Sequence, residues 1–295
     1  MNADVNENTV WISVLLCTYN DELYIREAVQ SILDQTYPHF EFVIIDDGST
    51  DGTNKILKEF LDPRIRLIEK SNTGLIDSLN FGFSLCKYNW VARMDGDDIA
   101  LPNRLNEQIK HLGKNISAIG TQAFLINSRG KVIGSTSLEL ENNRILYKTT
   151  MGKTAIIHPT ALINRGKFLE SGGYDKFIFA AEDLDLWLRL SNYGLLKNLN
   201  SKELNYRLHE KKISNLKRKE QFLNSHIALI KYKKKLNWLL SESEYVDLKD
   251  LIEKNIFYQI GLYCSIRNIN KKNFFSRVRN LIIQYCYFFT VKTIK

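Results

Sequence analysis

Blocks of mostly apolar residues alternate, in the first third of the chain, with segments whose apolar positions follow a helical period. Val10 to Cys17 (VWISVLLC) is such a block, as expected of a strand covered on both faces. Asp21 to Gln35 predicts a helix, because Ile25, Val29, Ile32 and Leu33 share one face at i, i+4, i+7 and i+8. Pro38 breaks the pattern. Phe40 to Ile45 predicts a second strand, ending at Asp46–Asp47, and a helix striped by Ile56, Leu57, Phe60 and Leu61 follows. Ile65 to Ile68 predicts a third strand. Thr73 is placed to cap the next helix, whose inner face is Leu75, Leu79, Phe83 and Cys86. Trp90 to Met94 predicts a fourth strand, ending at Asp95. Residues 115–165 read as richer in strand, with turns at Ser128–Gly130 and Gly152. Residues 182–193 read as helix, with Leu184, Trp187, Leu188 and Ser191 on one side, and the chain is helical and lysine-rich from about Glu210.

Strand–helix alternation with short connections implies right-handed crossovers and a parallel sheet, hence an α/β fold. Three predicted strands end in polar residues: Thr18–Tyr19–Asn20, Asp46–Asp47 and Asp95–Gly96–Asp97–Asp98. Ligands in open α/β sheets bind beyond the carboxyl ends of the strands. Segments distant in sequence therefore converge on one cleft.

The 295 residues are 44% hydrophobic and 25% charged, with 15 Gly and 4 Pro, which excludes collagen-like, low-complexity and wholly disordered chains. The four cysteines (Cys17, Cys86, Cys264, Cys286) form no CxxC pair and read as inert thiols in a reducing compartment. The start, MNADVNENTV, lacks the features of a signal peptide. The most apolar late stretch, Leu281 to Val291, has 11 residues, short of the ~20 needed to span a bilayer. Residues 1–209 carry 23 Lys+Arg against 26 Asp+Glu, and residues 210–295 carry 18 against 7, so the net charge of +8 divides into −3 and +11. A basic final segment suits an anionic lipid surface or nucleic acid, or is simply a solvated face.

The densest candidate chemistry is Asp95–Gly96–Asp97–Asp98, three carboxylates within four positions. Like charges so close repel unless a cation neutralises them, and hard oxygen ligands suit Mg²⁺ or Mn²⁺ with substrate phosphates in the shell. An Asp-rich turn capping the helix near Leu101–Pro102 is the plainer alternative. Asp46–Asp47–Gly48–Ser49 reads either as a capping turn or as a carboxylate for a base or ribose. Glu182–Asp183 opens a helix, where carboxylates are favoured by the dipole, or supplies a general base. A lone histidine such as His209 is more often structural than a ligand, although neutral imidazole is a common metal ligand. His158, before Pro159, carries no assigned role. Neither GxGxxG nor GxxxxGK[ST] occurs in the first strand–helix units.

Taken in order, VLLCTYN, QTYPHFEFVIIDDGSTDGT, NTGLIDSLNFGF, WVARMDGDDIALPNRL, HPTALI, GGYD, EDLDLWLRL and YRLH resemble the family two glycosyltransferases, which have the GT-A fold. The resemblance spans roughly residues 10–209 and is nearest to bacterial enzymes that extend lipooligosaccharide, O-antigen or capsule chains. It implies a Rossmann-like, mostly parallel sheet flanked by helices over residues 1–209, with a basic helical C-terminal region at 210–295. It implies inverting transfer from a UDP-sugar, with UDP-GlcNAc, UDP-GalNAc and UDP-Gal as candidates, to a glycan or lipid-linked acceptor. By position, Cys17, Thr18, Tyr19 and Asp47 would hold the uridine, and Asp95 would lie near the ribose or sugar. Asp97 would bind Mn²⁺ or Mg²⁺ with the diphosphate, His209 would complete that site, Asp183 would be the base and Glu182 would contact the acceptor. Cys17 stands where the family frequently has proline, and Gly96 where it frequently has alanine. Residues 210–295 match no family pattern strongly.

A nucleotidyltransferase would need a glycine-rich basic loop that VLLCTYNDELY lacks. A non-catalytic nucleotide-sugar-binding module is the alternative, but it would not need both acidic sets. Tyr232, Trp238 and Tyr245 interleave with lysines, yet no nucleic-acid-binding module pattern is present, so nucleic acid is not the expected partner. The run Lys231 to Lys235 is instead expected at the inner leaflet of a membrane, making the protein cytoplasmic and peripheral at that face.

Overall fold

The computed structural model describes residues 9–153, 155–209, 217–233 and 239–253. The expectations about Trp238, Cys264, Cys286 and Leu281–Val291 fall outside these. The elements begin with β1 (Ile12–Thr18), α1 (Ile25–Leu33), β2 (Phe40–Asp46), α2 (Thr53–Leu57), β3 (Ile65–Glu69), α3 (Leu75–Leu85) and β4 (Trp90–Asp95). Then follow β5 (Ile99–Ala100), α4 (Arg104–Ile109), β6 (Ile116–Ile126), β7 (Val132–Ser135) and α5 (Asn142–Thr150). A short 3₁₀ turn at His158–Thr160 leads to β8 (Leu162–Asn164), α6 (Arg165–Glu170), α7 (Glu182–Leu190) and β9 (Leu195–Arg207). Two helices close the described chain, α8 (Arg218–Lys233) and α9 (Glu242–Glu253).

The strands form one sheet in the order β3-β2-β1-β4-β8-β6-β9-β5, with β7 paired to β6. β3, β2, β1 and β4 are mutually parallel, as the alternation predicts. The other half is mixed: β8 runs antiparallel to β4 and β6, and β9 parallel to β6. All seven residues of β1 are buried. Ile12, Val14 and Leu16 pack with α1, while Leu15 and Cys17 pack on the α3 side. A Cβ on Gly82 of α3 would lie 2.4 Å from Leu15 Cδ1, so only glycine lets that helix sit so close to the sheet.

Four local expectations are corrected. The residue before α3 is Gly74 at φ +94°, not a capping Thr73; that φ is left-handed and favours glycine. α2 ends at Leu57, so Phe60 lies beyond it and Leu61 is 91% exposed. Asp21–Tyr24 form a turn that leads into α1, and Ser191 is the C-cap of α7. Residues 115–165 hold β6, β7 and β8, as their pattern predicts, and also the helix α5.

A third apolar cluster joins Ile178, Ala181, Leu184 and Leu188 around α7 to Leu223, Ile227, Leu240 and Ile252 of the C-terminal part. Lys231 lies in this interface. It is 1% exposed, with Nζ 2.8 Å from Asp175 Oδ2 and 2.9 Å from Asp185 Oδ1. Burial pushes the Asp185 carboxyl up, but Arg189 and Lys231 outweigh it and hold the group below its usual range. Lys231 is therefore not a surface lysine of a membrane-binding run. Removing one partner from a buried ion pair leaves an uncompensated charge. Lys231→Met is expected to lower the unfolding free energy by about 3–5 kcal/mol in urea denaturation. A loss below about 1 kcal/mol, the range of exposed pairs, would contradict the burial of this network.

Candidate active site

Register places the polar strand ends side by side. Thr18 on β1 pairs with Asp46 on β2, and Cys17 pairs with Asp95 on β4. The loops beyond them are tied together: Asn20 N–H donates to Ser49 Oγ at 3.0 Å, and Thr50 N–H donates to Asn20 Oδ1 at 2.8 Å. Asn20 adopts φ +59°, a left-handed conformation that asparagine tolerates better than most residues. Tyr19 is 47% exposed at this edge. The Cys17 side chain is buried in the core, so Cys17 offers the cleft only its backbone.

Asp47 is buried and already bonded. Its carboxylate accepts from Lys70 Nζ and from the backbone N–H groups of Thr73 (3.0 Å) and Gly74 (2.9 Å). Burial pushes its pKa up, but Lys70 and these N–H groups outweigh burial and leave it lowered. It is a fixed anion at the mouth of α3. Asp46 Oδ1 accepts from Ser49 N–H at 3.0 Å, so it supports the loop.

Asp95, Asp97 and Asp98 gather as the sequence implies: one oxygen from each lies within 4.8 Å of the others. Buried arginines stabilise this concentration of charge. Arg93, two residues back on β4, pairs with Asp95. The backbone N–H of Arg207 donates to Asp98 Oδ1 at 2.8 Å. His209 follows β9, and its Nε2 lies 2.7 Å from Asp97 Oδ2. Carboxylates with one imidazole are a donor set that fits Mn²⁺ or Mg²⁺.

Glu182 and Asp183 open α7. Every residue of α7 is buried except Asp183, which is half-buried. Asp183 Oδ1 accepts from Leu184 N–H at 2.7 Å. Glu182 is 8% exposed, and its Oε2 has no hydrogen-bond partner. Burial, then the neighbouring Asp183, raises Glu182 to about 7; burial also raises Asp183. The turn into the helix passes through Ala180 at φ +62°, a conformation that costs an L-residue about 1–2 kcal/mol and is often retained at functional sites. His158 is buried, with Nε2 2.6 Å from Tyr174 Oη and its ring edge-on to Trp187. Burial, then Arg93, holds it well below its usual pKa, and so neutral.

The cleft also contains residues not singled out in the sequence: Arg93, Arg207, Lys70 and Asp21. A lone arginine inside the apolar run WVARMD signals a buried anionic partner, which is Asp95. Asp21 and Lys70 carry no such signal.

Comparison with known proteins gives the family. The family model described as glycosyl transferase family 2 matches residues 13–173. The chain belongs to this family. It is 35% identical over 230 residues to an uncharacterized glycosyltransferase of Haemophilus influenzae, covering 73% of this chain and 71% of that protein. It is 35% identical over 207 residues to the O-antigen biosynthesis glycosyltransferase WbnJ of Escherichia coli, covering 68% of this chain and 80% of WbnJ. Among solved structures, residues 1–349 of Staphylococcus aureus TarS in complex with UDP-GlcNAc superpose with TM-score 0.60 at 19% identity, over 81% of this chain and 70% of TarS 1–349. The mannosyltransferase PcManGT of Pyrobaculum calidifontis, in complex with GDP-Man and Mn²⁺, gives 0.57 at 16% identity, over 94% and 79%. The fold is that of the GT-A glycosyltransferases, and the protein is a glycosyltransferase.

Gly96 fits this particular cleft tightly. A Cβ there would lie 2.5 Å from Asp21 Oδ2 and 3.1 Å from Thr18 Oγ1, and Thr18 Oγ1 donates to that same Asp21 oxygen at 2.7 Å. Gly96→Ala is therefore expected to destabilise this chain by about 1–3 kcal/mol through overpacking. Adding Asp21→Ala should remove most of the loss in a double-mutant cycle. Additive effects would contradict the contact.

Proposed function

We propose that the protein transfers a sugar from a UDP-sugar to a hydroxyl of a growing surface-glycan acceptor, with inversion and with help from Mn²⁺ or Mg²⁺. The observation that carries this is the acidic triad with His209 and, near enough to Asp95 for its charge to act on both carboxyls, Glu182 and Asp183 at the start of the buried helix α7. UDP as the nucleotide is supported by the TarS complex and by the fixed Asp47 anion, which suits the N3–H of uracil. Tyr19 supplies an exposed ring for the base, and Thr18 and the Cys17 backbone line the same edge. The relation to WbnJ supports an O-antigen-like acceptor. Asp97 and His209 would hold the divalent ion, with Asp95 beside the ribose or donor sugar. When bound, the ion stabilises the negative charge that develops on the leaving diphosphate.

The chain's own residues perform the rest. Burial raises both carboxyls, and Asp183 is the one that α7 does not bury, so Asp183 is the carboxylate open to the acceptor. Asp183 accepts the proton of the acceptor hydroxyl as that oxygen bonds to the anomeric carbon. The bond from that carbon to the phosphate oxygen breaks on the opposite side, its electrons leave with UDP, and one displacement inverts the centre. Glu182, adjacent to the base at the start of α7, would be the acceptor contact that the resemblance implies.

Among the described residues no helix is long and apolar enough to cross a membrane. The positive excess of residues 210–295 supports a contact between that region and an anionic membrane carrying a lipid-linked acceptor. Lys231 takes no part in it.

With Mn²⁺ and the correct member of a UDP-sugar panel, the enzyme is expected to release UDP in an acceptor-dependent manner, and a chelator should stop it. Asp183→Asn should lower kcat by about 10²–10⁴ while UDP binding is kept. Normal turnover by that variant would refute the assignment of the base. Because the base must be ionised and burial raises its pKa, the acid limb of kcat/KM should lie above the ordinary Asp value of ~3.9, with activity lost as pH falls. As the two carboxylates are coupled, that limb belongs to the pair.

A further inference from the structure

The two candidate metal ligands lie far apart in the chain, and one buried side chain connects the segments that carry them. Arg207 is 2% exposed. Its Nε donates to the backbone carbonyl of Asp97 at 2.7 Å, while its own N–H holds Asp98 Oδ1 at 2.8 Å. Its Nη2 donates to Glu27 Oε2 of α1 at 2.6 Å, and Nη1 reaches Ser128 O at 3.3 Å. The guanidinium carbon lies 4.4 Å above the centre of the Tyr24 ring. His209 also neighbours that ring, at 5.4 Å between centroids. Arg207 thus fixes the peptide of one ligand directly and the ring of the other through Tyr24. We infer that Arg207, held by Glu27 and stacked on Tyr24, is the positioning residue that presets Asp97 and His209 for a divalent cation. This rests on the proposed metal-binding role of Asp97 and His209.

The chemistry favours arginine over a simple charge. Three bonds leave the guanidinium in different directions, to a carbonyl, a carboxylate and a second carbonyl, and its flat face covers an aromatic ring. A planar fork can do this; the point charge of a lysine cannot. Groups that orient metal ligands typically change metal affinity 10–100-fold when altered. Positive charge near the ion would by itself weaken cation binding, so a role through charge and a role through position differ in what Arg207→Lys should do. A charge-only role predicts no change, and a positioning role predicts weaker binding. Glu27 carries the same distinction in a variant safe for folding, because its side chain is 60% exposed.

The experiment measures Mn²⁺ affinity by electron paramagnetic resonance, with saturating UDP, in wild type, Arg207→Lys, Glu27→Gln and Asp97→Asn. UDP affinity without metal serves as a check on the nucleotide site. Arg207→Lys is expected to bind Mn²⁺ about 10–100-fold more weakly, with metal-free UDP binding unchanged. Glu27→Gln should weaken Mn²⁺ in the same direction by a smaller factor. If both variants bind Mn²⁺ like wild type while Asp97→Asn loses it, the positioning role is overturned and the metal site stands. If Asp97→Asn binds Mn²⁺ as tightly as wild type, the metal assignment falls and the positioning role falls with it.

Discussion

Three carboxylates whose oxygens approach within 4.8 Å repel one another, by about 3 kcal/mol per pair at the effective dielectric of a protein surface. The chain keeps them together with buried partners. Arg93 pairs with Asp95, and Arg207 holds Asp98 through its N–H and the Asp97 peptide through its side chain. These cations sit on β4 and at the end of β9, so the electrostatics of the site depend on both halves of the sheet. The parallel half delivers the acidic turn. It also delivers Arg93 beside Asp95, and the mixed half delivers Arg207 at the end of β9.

The second acidic pair is held in a different way. α7 is packed on the sheet side through Leu186, Trp187 and Leu190 and on its other side against α8 and α9 through Leu184 and Leu188. The Asp175–Lys231–Asp185 network fixes that second contact. A helix so enclosed has little freedom to turn, and the residue it leaves partly open is Asp183. The C-terminal helices therefore contribute to the rigidity on which a base depends, besides whatever they do at the acceptor.

The parallel half of the fold could be read from the sequence because its strands are buried on both faces and its helices carry a clear period. The acidic turns at the strand ends were legible for the same reason. Where the reading diverged, three-dimensional partners outweighed local pattern. Lys231 lies in a run of lysines and is nonetheless buried, because Asp175 and Asp185 come from segments about 50 residues away. α5 (NNRILYKTT) is polar and carries only Ile145 and Thr149 inward, too few for a visible stripe. β9 alternates weakly, yet it supplies both Arg207 and the approach to His209. Arg207 and Glu27 are 180 positions apart, and no spacing rule connects them. The roles of Asp97, His209 and Asp183 follow from resemblance; their proximity to supporting partners follows only from the fold.

The most direct measurement is anomalous diffraction at the manganese edge from crystals of the full chain grown with Mn²⁺ and UDP. The account predicts one anomalous peak at coordination distance from Asp97 and His209 that also contacts the diphosphate. A peak away from both side chains, or no peak beside well-ordered UDP, would contradict it.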